Sequence, residues 1–417
     1  MAPARCDVHP TTLGQSSVWF AAQYHGESSA YNVTTVVDID GDLPRRRVEE
    51  AYRLLVEVTP TLQFRTGLGE SGDVVQWLDP AEVRVEWVSP APGAEVDEVL
   101  RDAVSRPFEV DGGVLHRIVA ARLSASRTRV SLSVHHVLMD GRSKTLLTER
   151  FLACLDGSVV AQKPADYLEL VERVRAAEAS AVRRDLDYWT TRLAPVIGQE
   201  TIGTADQAAQ PVRGHLSQRL REDLSADCVA HFRRIAREAG TGLFSVLFGS
   251  IHRVLGVMGR RASVVCTAAS VRPRDGFGGE VLGCFVNQVP LVCAHRPGDT
   301  LAELVMAEAD GWREDLRRRH VPLMVIVNAL PRPVPRLDRI FTSYLDMEGT
   351  LQWRHGHLSA TCDLFNVYHE TKTDLTVRFV PHDGRIGCDV EWSDNSAPEL
   401  GQEFAEVLRS LLAGEIS

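Results

Sequence analysis

From Arg129 to Val134 polar and apolar side chains alternate with a period of two, the pattern of a half-buried strand. After Gly141 the spacing changes. Leu146, Leu147, Phe151, Ala153 and Cys154 recur among charged residues as on an amphipathic helix, with Ser143 placed as its N-cap. Gly157 to Pro164 reads as a passage, and helical patterning returns from Tyr167 to Leu193. Pro195 to Gly214, rich in Gly, Gln and Ala, reads as an exposed loop, and a second alternation of helices and strands runs from Leu220 onward. Phe285, Val286 and Leu291 suit a buried strand. No short-period repeat is present.

Between the first strand and its helix stands Val134-His135-His136-Val137-Leu138-Met139-Asp140-Gly141. Imidazole titrates near neutrality, so a histidine at a turn can take a proton from an amine or hydroxyl and return it to a leaving group. Two adjacent histidines on a strand point to opposite faces, which makes them poor joint metal ligands. No His-Glu-x-x-His, Cys-x-x-Cys or His-x-Asp segment supports a metal site. A Gly-x-Ser-x-Gly elbow and a Walker loop are also absent, and Gly276-Phe277-Gly278-Gly279 does not complete a dinucleotide fingerprint. Chance also gives paired histidines beside a turn, one buried and one solvated, so the motif alone balances the two readings.

Composition narrows the classes. With 417 residues, 44% of them hydrophobic, the chain can bury an ample core in two or three domains. Met1 to Phe20 lacks the pattern of a signal peptide and no apolar run approaches a membrane span, which together predict a cytoplasmic protein with no membrane partner. Eight cysteines occur singly, as reduced core residues do, and not as staples or ligands. A net charge of -10 argues against nucleic acid, which demands a cationic face. Of 46 basic residues only Lys144, Lys163 and Lys372 are lysine, a codon signature of a GC-rich genome such as an actinomycete's. Arg45-Arg46-Arg47, Arg183-Arg184 and Arg317-Arg318-Arg319-His320 read as solvated faces, one of which would meet an acidic partner.

An ordered set of segments resembles the condensation domain of nonribosomal peptide synthetases, within the chloramphenicol-acetyltransferase-like superfamily. They begin with Thr12-Leu13-Gly14-Gln15-Ser16-Ser17-Val18-Trp19-Phe20, Val58 to Arg65, Arg106 to Val110 with Leu115-His116-Arg117, and the intact His-His-x-x-x-Asp-Gly. Asp166-Tyr167, Tyr188-Trp189 with Leu193, and Arg272 followed by Val281 to Leu291 come next. His320 to Leu323, Phe341 to Tyr344, Thr373 to Thr376 and Asp389 to Ser393 close the series. Thr59 and Gln63 replace the His and Arg that the family usually carries.

The resemblance implies an α/β fold with mixed sheets, built as two acetyltransferase-like halves in a V-shaped pseudo-dimer with a central tunnel. The halves would be 1–164, carrying the motif, and 165–417, with a crossover near 272–291. It implies His136 as general base or as the group orienting the acceptor, His135 as a residue that packs or hydrogen-bonds to hold the turn, and Gly141 as a point of backbone approach to the thioester that presents an N–H to the developing oxyanion. Asp140 would pair with Arg272 through two parallel hydrogen bonds. Asn287 would support the motif region, and Ser343 would line the tunnel. The expected reaction moves an acyl group from a carrier-protein thioester to an amine or hydroxyl, giving amide or ester in natural-product, antibiotic-type biosynthesis. No metal or redox cofactor is expected; phosphopantetheine would arrive on the acyl or peptidyl carrier protein. The acceptor would be a small molecule or a carrier-bound group. The length suggests a free-standing enzyme, and the resemblance a monomer. Rival readings are an acyl-coenzyme A acyltransferase, a non-catalytic module that recruits a partner enzyme, and an epimerase, though Arg142-Ser143-Lys144 lack the Trp that often marks the last.

Overall fold

A computed structural model describes residues 7–26, 29–89, 95–197, 218–332, 336–344, 349–364, 372–382, 384–392 and 398–416. Most of the expected Pro195 to Gly214 loop, and Ser393, lie outside them. The chain forms two compact units, one of Met1–Ala176, Arg272–Val286 and Gly349–Glu370, the other of Ala177–Val271, Asn287–Glu348 and Thr371–Ser417. This differs from contiguous halves at 1–164 and 165–417. The helix Pro164–Leu193 runs through that boundary, and two later segments join the first unit.

The first unit holds a six-stranded sheet in the order Thr350–His355, Leu358–Asp363, Asn32–Asp40, Arg127–His135, His116–Ser124 and Glu86–Val88. Its pairings are antiparallel except at Glu86–Val88, which runs parallel to His116–Ser124. The hairpin of its first two strands is a late piece of chain that extends the sheet beside Asn32–Asp40. The motif strand Arg127–His135 is central, so from Val130 on both faces are buried, Ser131 and Ser133 included. The alternation that suggested a half-buried strand instead records small hydroxyls inside, with Thr34 Oγ1 donating to Ser133 Oγ at 3.2 Å. A three-stranded sheet of His9–Pro10, Val74–Leu78 and Phe64–Leu68 completes the unit.

The second unit holds a six-stranded mixed sheet in the order Val286–Ala294, Ala262–Ser270, Ile340–Tyr344, Leu375–His382, Arg385–Trp392 and Gln218–Asp223. Ile340–Tyr344 runs parallel to both its neighbours, and the last two pairings are antiparallel. The apolar helix Leu243–Val257 forms part of its core with Trp312, Phe248 and Phe404. Among the described residues no single helix is long and apolar enough to cross a membrane.

One buried histidine makes the first unit pH-sensitive. His116 opens its strand with Nδ1 at 2.8 Å from the hydroxyl of Tyr52, on the helix Arg45–Val58. Burial, with the nearby Arg65 cation, lowers its pKa to about 4. The unfolded chain, with a pKa of about 6.5, takes up a proton that the fold refuses. The stability tied to neutral His116 is therefore complete above about pH 6.5 and lost as pH falls toward 4, by up to about 3 kcal/mol. Urea unfolding measured from pH 7.5 downward is expected to show this decline, and His116→Asn to flatten it; equal slopes in both proteins would refute the assignment.

Candidate active site

His135 ends the motif strand, and His136 begins a single 3-10 turn, His136–Leu138. The turn breaks the strand between the two histidines and gives them different surroundings. His135 is 2% exposed; its Nδ1 accepts the Val137 N–H at 3.2 Å, and its ring lies against Tyr31 and Phe108. His136 is half-buried, with Nδ1 3.8 Å from the thiol of Cys284. Behind the turn Gln15 donates from Nε2 to Val137 O and to the Tyr167 hydroxyl, each at 3.0 Å, and that hydroxyl donates to Gln76 at 2.7 Å. Gln15 also accepts the Thr12 N–H, closing a capping box at the start of the helix Leu13–His25.

Asp140 is the N-cap of the helix Gly141–Asp156, the place the sequence suggested for Ser143. Its Oδ1 accepts the Ser143 N–H at 2.8 Å, satisfying one of the orphan amides of the first turn. Oδ2 accepts the Phe285 N–H at 3.0 Å. Arg272 reaches the carboxylate through Nη2 alone, at 3.0 and 3.3 Å. Its Nη1 donates instead to Gly278 O at 2.6 Å and Val281 O at 2.7 Å. The two parallel bonds expected between arginine and aspartate are thus absent, because the guanidinium is divided between the carboxylate and a loop. Both side chains of the pair are buried, 8% and 1% exposed.

That loop, 278–285, is fixed to the motif helix almost atom by atom. The Ser143 hydroxyl donates to Gly283 O at 2.7 Å and accepts from Gly283 N at 2.9 Å and Arg272 Nη2 at 3.0 Å. Asp140 N donates to Gly283 O, Thr61 Oγ1 to Leu282 O, and Leu282 N to Gln162 Oε1. Gly283 is required here, since a Cβ would stand 2.2 Å from the Phe285 ring. Phe285 is fully buried in this loop, ahead of the strand that begins at Val286. The result places Cys284 beside His136. The sequence reading missed Cys284, Gln162, Thr61 and this role of Ser143; only Ser143, three residues past an N-cap aspartate, left a local sign.

Gly141 is exposed, and a Cβ built on it would meet no atom within 4 Å. Among the described residues no packing therefore demands glycine at this position. Asn287 and Ser343 belong to the second unit. Asn287 Nδ2 donates to Arg319 O and Val321 O at 2.7 Å, and Oδ1 accepts Leu323 N–H at 3.4 Å. It braces the turn around His320 to Leu323 rather than the motif, since both of its amide hydrogens are donated there. Ser343 is half-buried on Ile340–Tyr344, opposite Arg378 of the neighbouring strand.

The condensation-domain family model matches residues 6–414. The chain belongs to the condensation-domain family. This condensation domain is 22% identical over 413 residues to surfactin synthase subunit 2 of Bacillus subtilis, covering 97% of this chain and 11% of that protein. It thus spans about a tenth of the length of that relative. The first condensation domain of the calcium-dependent antibiotic synthetase, solved with substrate analogue 3a, is 20% identical with a TM-score of 0.79, covering 99% of this chain and 98% of that one. A four-domain nonribosomal peptide synthetase bound to AMP and glycine gives a TM-score of 0.82 at 17% identity, covering 100% of this chain and 34% of that one. The fold is that of these condensation domains, mixed α/β with mixed sheets, as the sequence resemblance implied.

Proposed function

We propose that this condensation domain transfers an acyl group from a carrier-protein thioester to an amine or hydroxyl acceptor. Condensation domains catalyse amide-bond formation, an acyl transfer, with carrier-bound substrates. The observation that carries the reading is the contrast within the histidine pair: His135 is consumed by packing, while His136 stands half-exposed on a turn braced from several sides.

His136 takes the proton from the acceptor as its nitrogen or oxygen attacks the thioester carbonyl. A C–N or C–O bond forms, the C–S bond breaks, and the proton returns to the departing thiolate, leaving free phosphopantetheine thiol on the carrier. Gly141 opens the first turn of the motif helix, where an absent Cβ lets the thioester carbonyl approach backbone N–H groups. The Asp140–Arg272 pair and the loop it holds position the base and do not touch the reacting atoms. The transfer uses no resident cofactor, because the pantetheine arm comes with the substrate. Its setting is the cytoplasm, where thiols such as those of the seven buried cysteines among the described residues stay reduced.

The test supplies the 417-residue chain by itself with an acylated carrier protein and a panel of amines and alcohols. Carrier deacylation and product are followed by mass spectrometry. Acylated product from the carrier-bound donor is the expected result. Turnover only with acyl-coenzyme A would overturn the carrier assignment, and carrier binding without turnover would favour a recruitment module.

A further inference from the structure

The second unit contains a buried group of donors that the proposed acyl transfer does not use. His252 lies in the middle of the helix Leu243–Val257, Ser263 on the strand Ala262–Ser270, Cys293 on the strand Val286–Ala294, and His295 just beyond that strand. Cys293 and His295, two positions apart, lean to the same side of the strand line. One ligand atom from each of His252, Cys293 and His295 lies within 4.8 Å of the other two. Ser263 Oγ stands between the imidazoles, 2.5 Å from His252 Nδ1 and 2.8 Å from His295 Nε2.

Cys293 Sγ is 3.7 Å from His295 Nδ1, a thiol hydrogen-bond contact that is also near the separation of about 3.5 Å that a tetrahedral zinc imposes on a thiolate and an imidazole bound at about 2.3 and 2.0 Å. One detail separates this group from an ordinary buried hydrogen-bond chain. His252 is wholly buried, stacked on Trp312 and edged by Phe248, and its Nε2 has no hydrogen-bond partner among the described residues. A buried ring nitrogen without a partner is costly, and a metal is one group that would satisfy it.

We infer that His252, Cys293 and His295, with the Ser263 hydroxyl alongside, form a structural site for a zinc-class divalent ion that ties the core helix to the end of the strand Val286–Ala294. Cys293 is a buried free thiol, as its single occurrence suggested, and the inference adds a ligand role to it. Burial lowers the pKa of both histidines, that of His295 to about 4, which keeps the imidazoles in the neutral form that ligates. Burial raises the Cys293 thiol, so the thiolate forms only with the cation that replaces its proton. Binding calls for the three donors to draw together by on the order of 1 Å, within the reach of side-chain rotation.

The site is tested on the whole chain produced in zinc-supplemented and in cobalt-supplemented medium, since a buried site fills as the chain folds. About one zinc per chain is expected to survive desalting. The cobalt form is expected to show a thiolate-to-metal charge-transfer band that disappears in Cys293→Ala and persists in Cys228→Ala. Bound zinc is expected to raise the thermal midpoint by roughly 5 °C in the wild type and not in Cys293→Ala. Sub-stoichiometric metal at equal levels in wild type and Cys293→Ala, or a charge-transfer band that outlives this substitution, would overturn the site. His295→Gln gives a second variant should Cys293→Ala fold poorly; retention of full zinc by a folded His295→Gln would equally overturn it.

Discussion

Replacing His136 with alanine is expected to slow acyl transfer by about 10²–10⁴-fold, the usual contribution of a positioned acid–base group. Its effect on stability should stay within about 1 kcal/mol, because the ring is half-exposed. The neighbouring substitution is expected to do the reverse. His135→Ala removes a buried acceptor from the Val137 N–H and a ring packed on Tyr31 and Phe108, at a cost of about 1–3 kcal/mol, with any loss of rate following from the disturbed turn. Single-turnover rates and urea unfolding of the two variants settle the division of labour. If His136→Ala retained the wild-type rate, the base would have to be another group. The pH profile ties the rate to this ring: a wild-type rate that falls as imidazole protonates, set against a flat residual rate in His136→Ala, marks His136 as acting in its neutral form.

How much of this site was readable in the sequence depended on where each partner lies along the chain. The motif, the strand before it and the helix after it are local patterns, and they were legible. The N-cap was displaced by three residues, because Asp140 and Ser143 are both good capping types and the Ser143 N–H is the one being capped. Arg272 was legible as a partner only through family resemblance, and the division of its guanidinium between Asp140 and two loop carbonyls was not. The bond from Thr61 to Leu282 spans 221 residues, and periodicity contains nothing of such a pairing. The hairpin 350–363 shows the same limit for the fold. Its alternation marks strands, while the sheet it joins is chosen by the partner strand Asn32–Asp40. At the two departures from the family pattern, Gln63 serves local structure by bonding the nearby Val56 carbonyl at 2.7 Å, while Thr59 is fully buried with its hydroxyl unpartnered among the described residues.

Asp140→Ala is expected to cost the first unit about 3–5 kcal/mol, the range for breaking one side of a buried ion pair. Three losses act together: Arg272 keeps a buried charge without its counter-ion, the motif helix loses its cap, and the Phe285 N–H loses its acceptor. Asp140→Asn keeps an oxygen for the Ser143 N–H and should fall between the alanine variant and the wild type. Arg272→Ala should be comparably damaging, and the double variant should cost clearly less than the sum, since each partner's removal relieves the charge that the other leaves behind. Urea unfolding of the four proteins measures the coupling, and additivity within about 0.5 kcal/mol would show that the pair does not act as a unit. Activity should fall in the same order, because the loop clamped by Arg272 places Cys284 against His136, and a displacement of about 1 Å at a base can cost a hundredfold. Arg272→Lys keeps the charge and is expected to fail as a rescue. A single ammonium cannot serve a carboxylate on one nitrogen and the Gly278 and Val281 carbonyls on another, and that division of the guanidinium is what joins the motif to its loop.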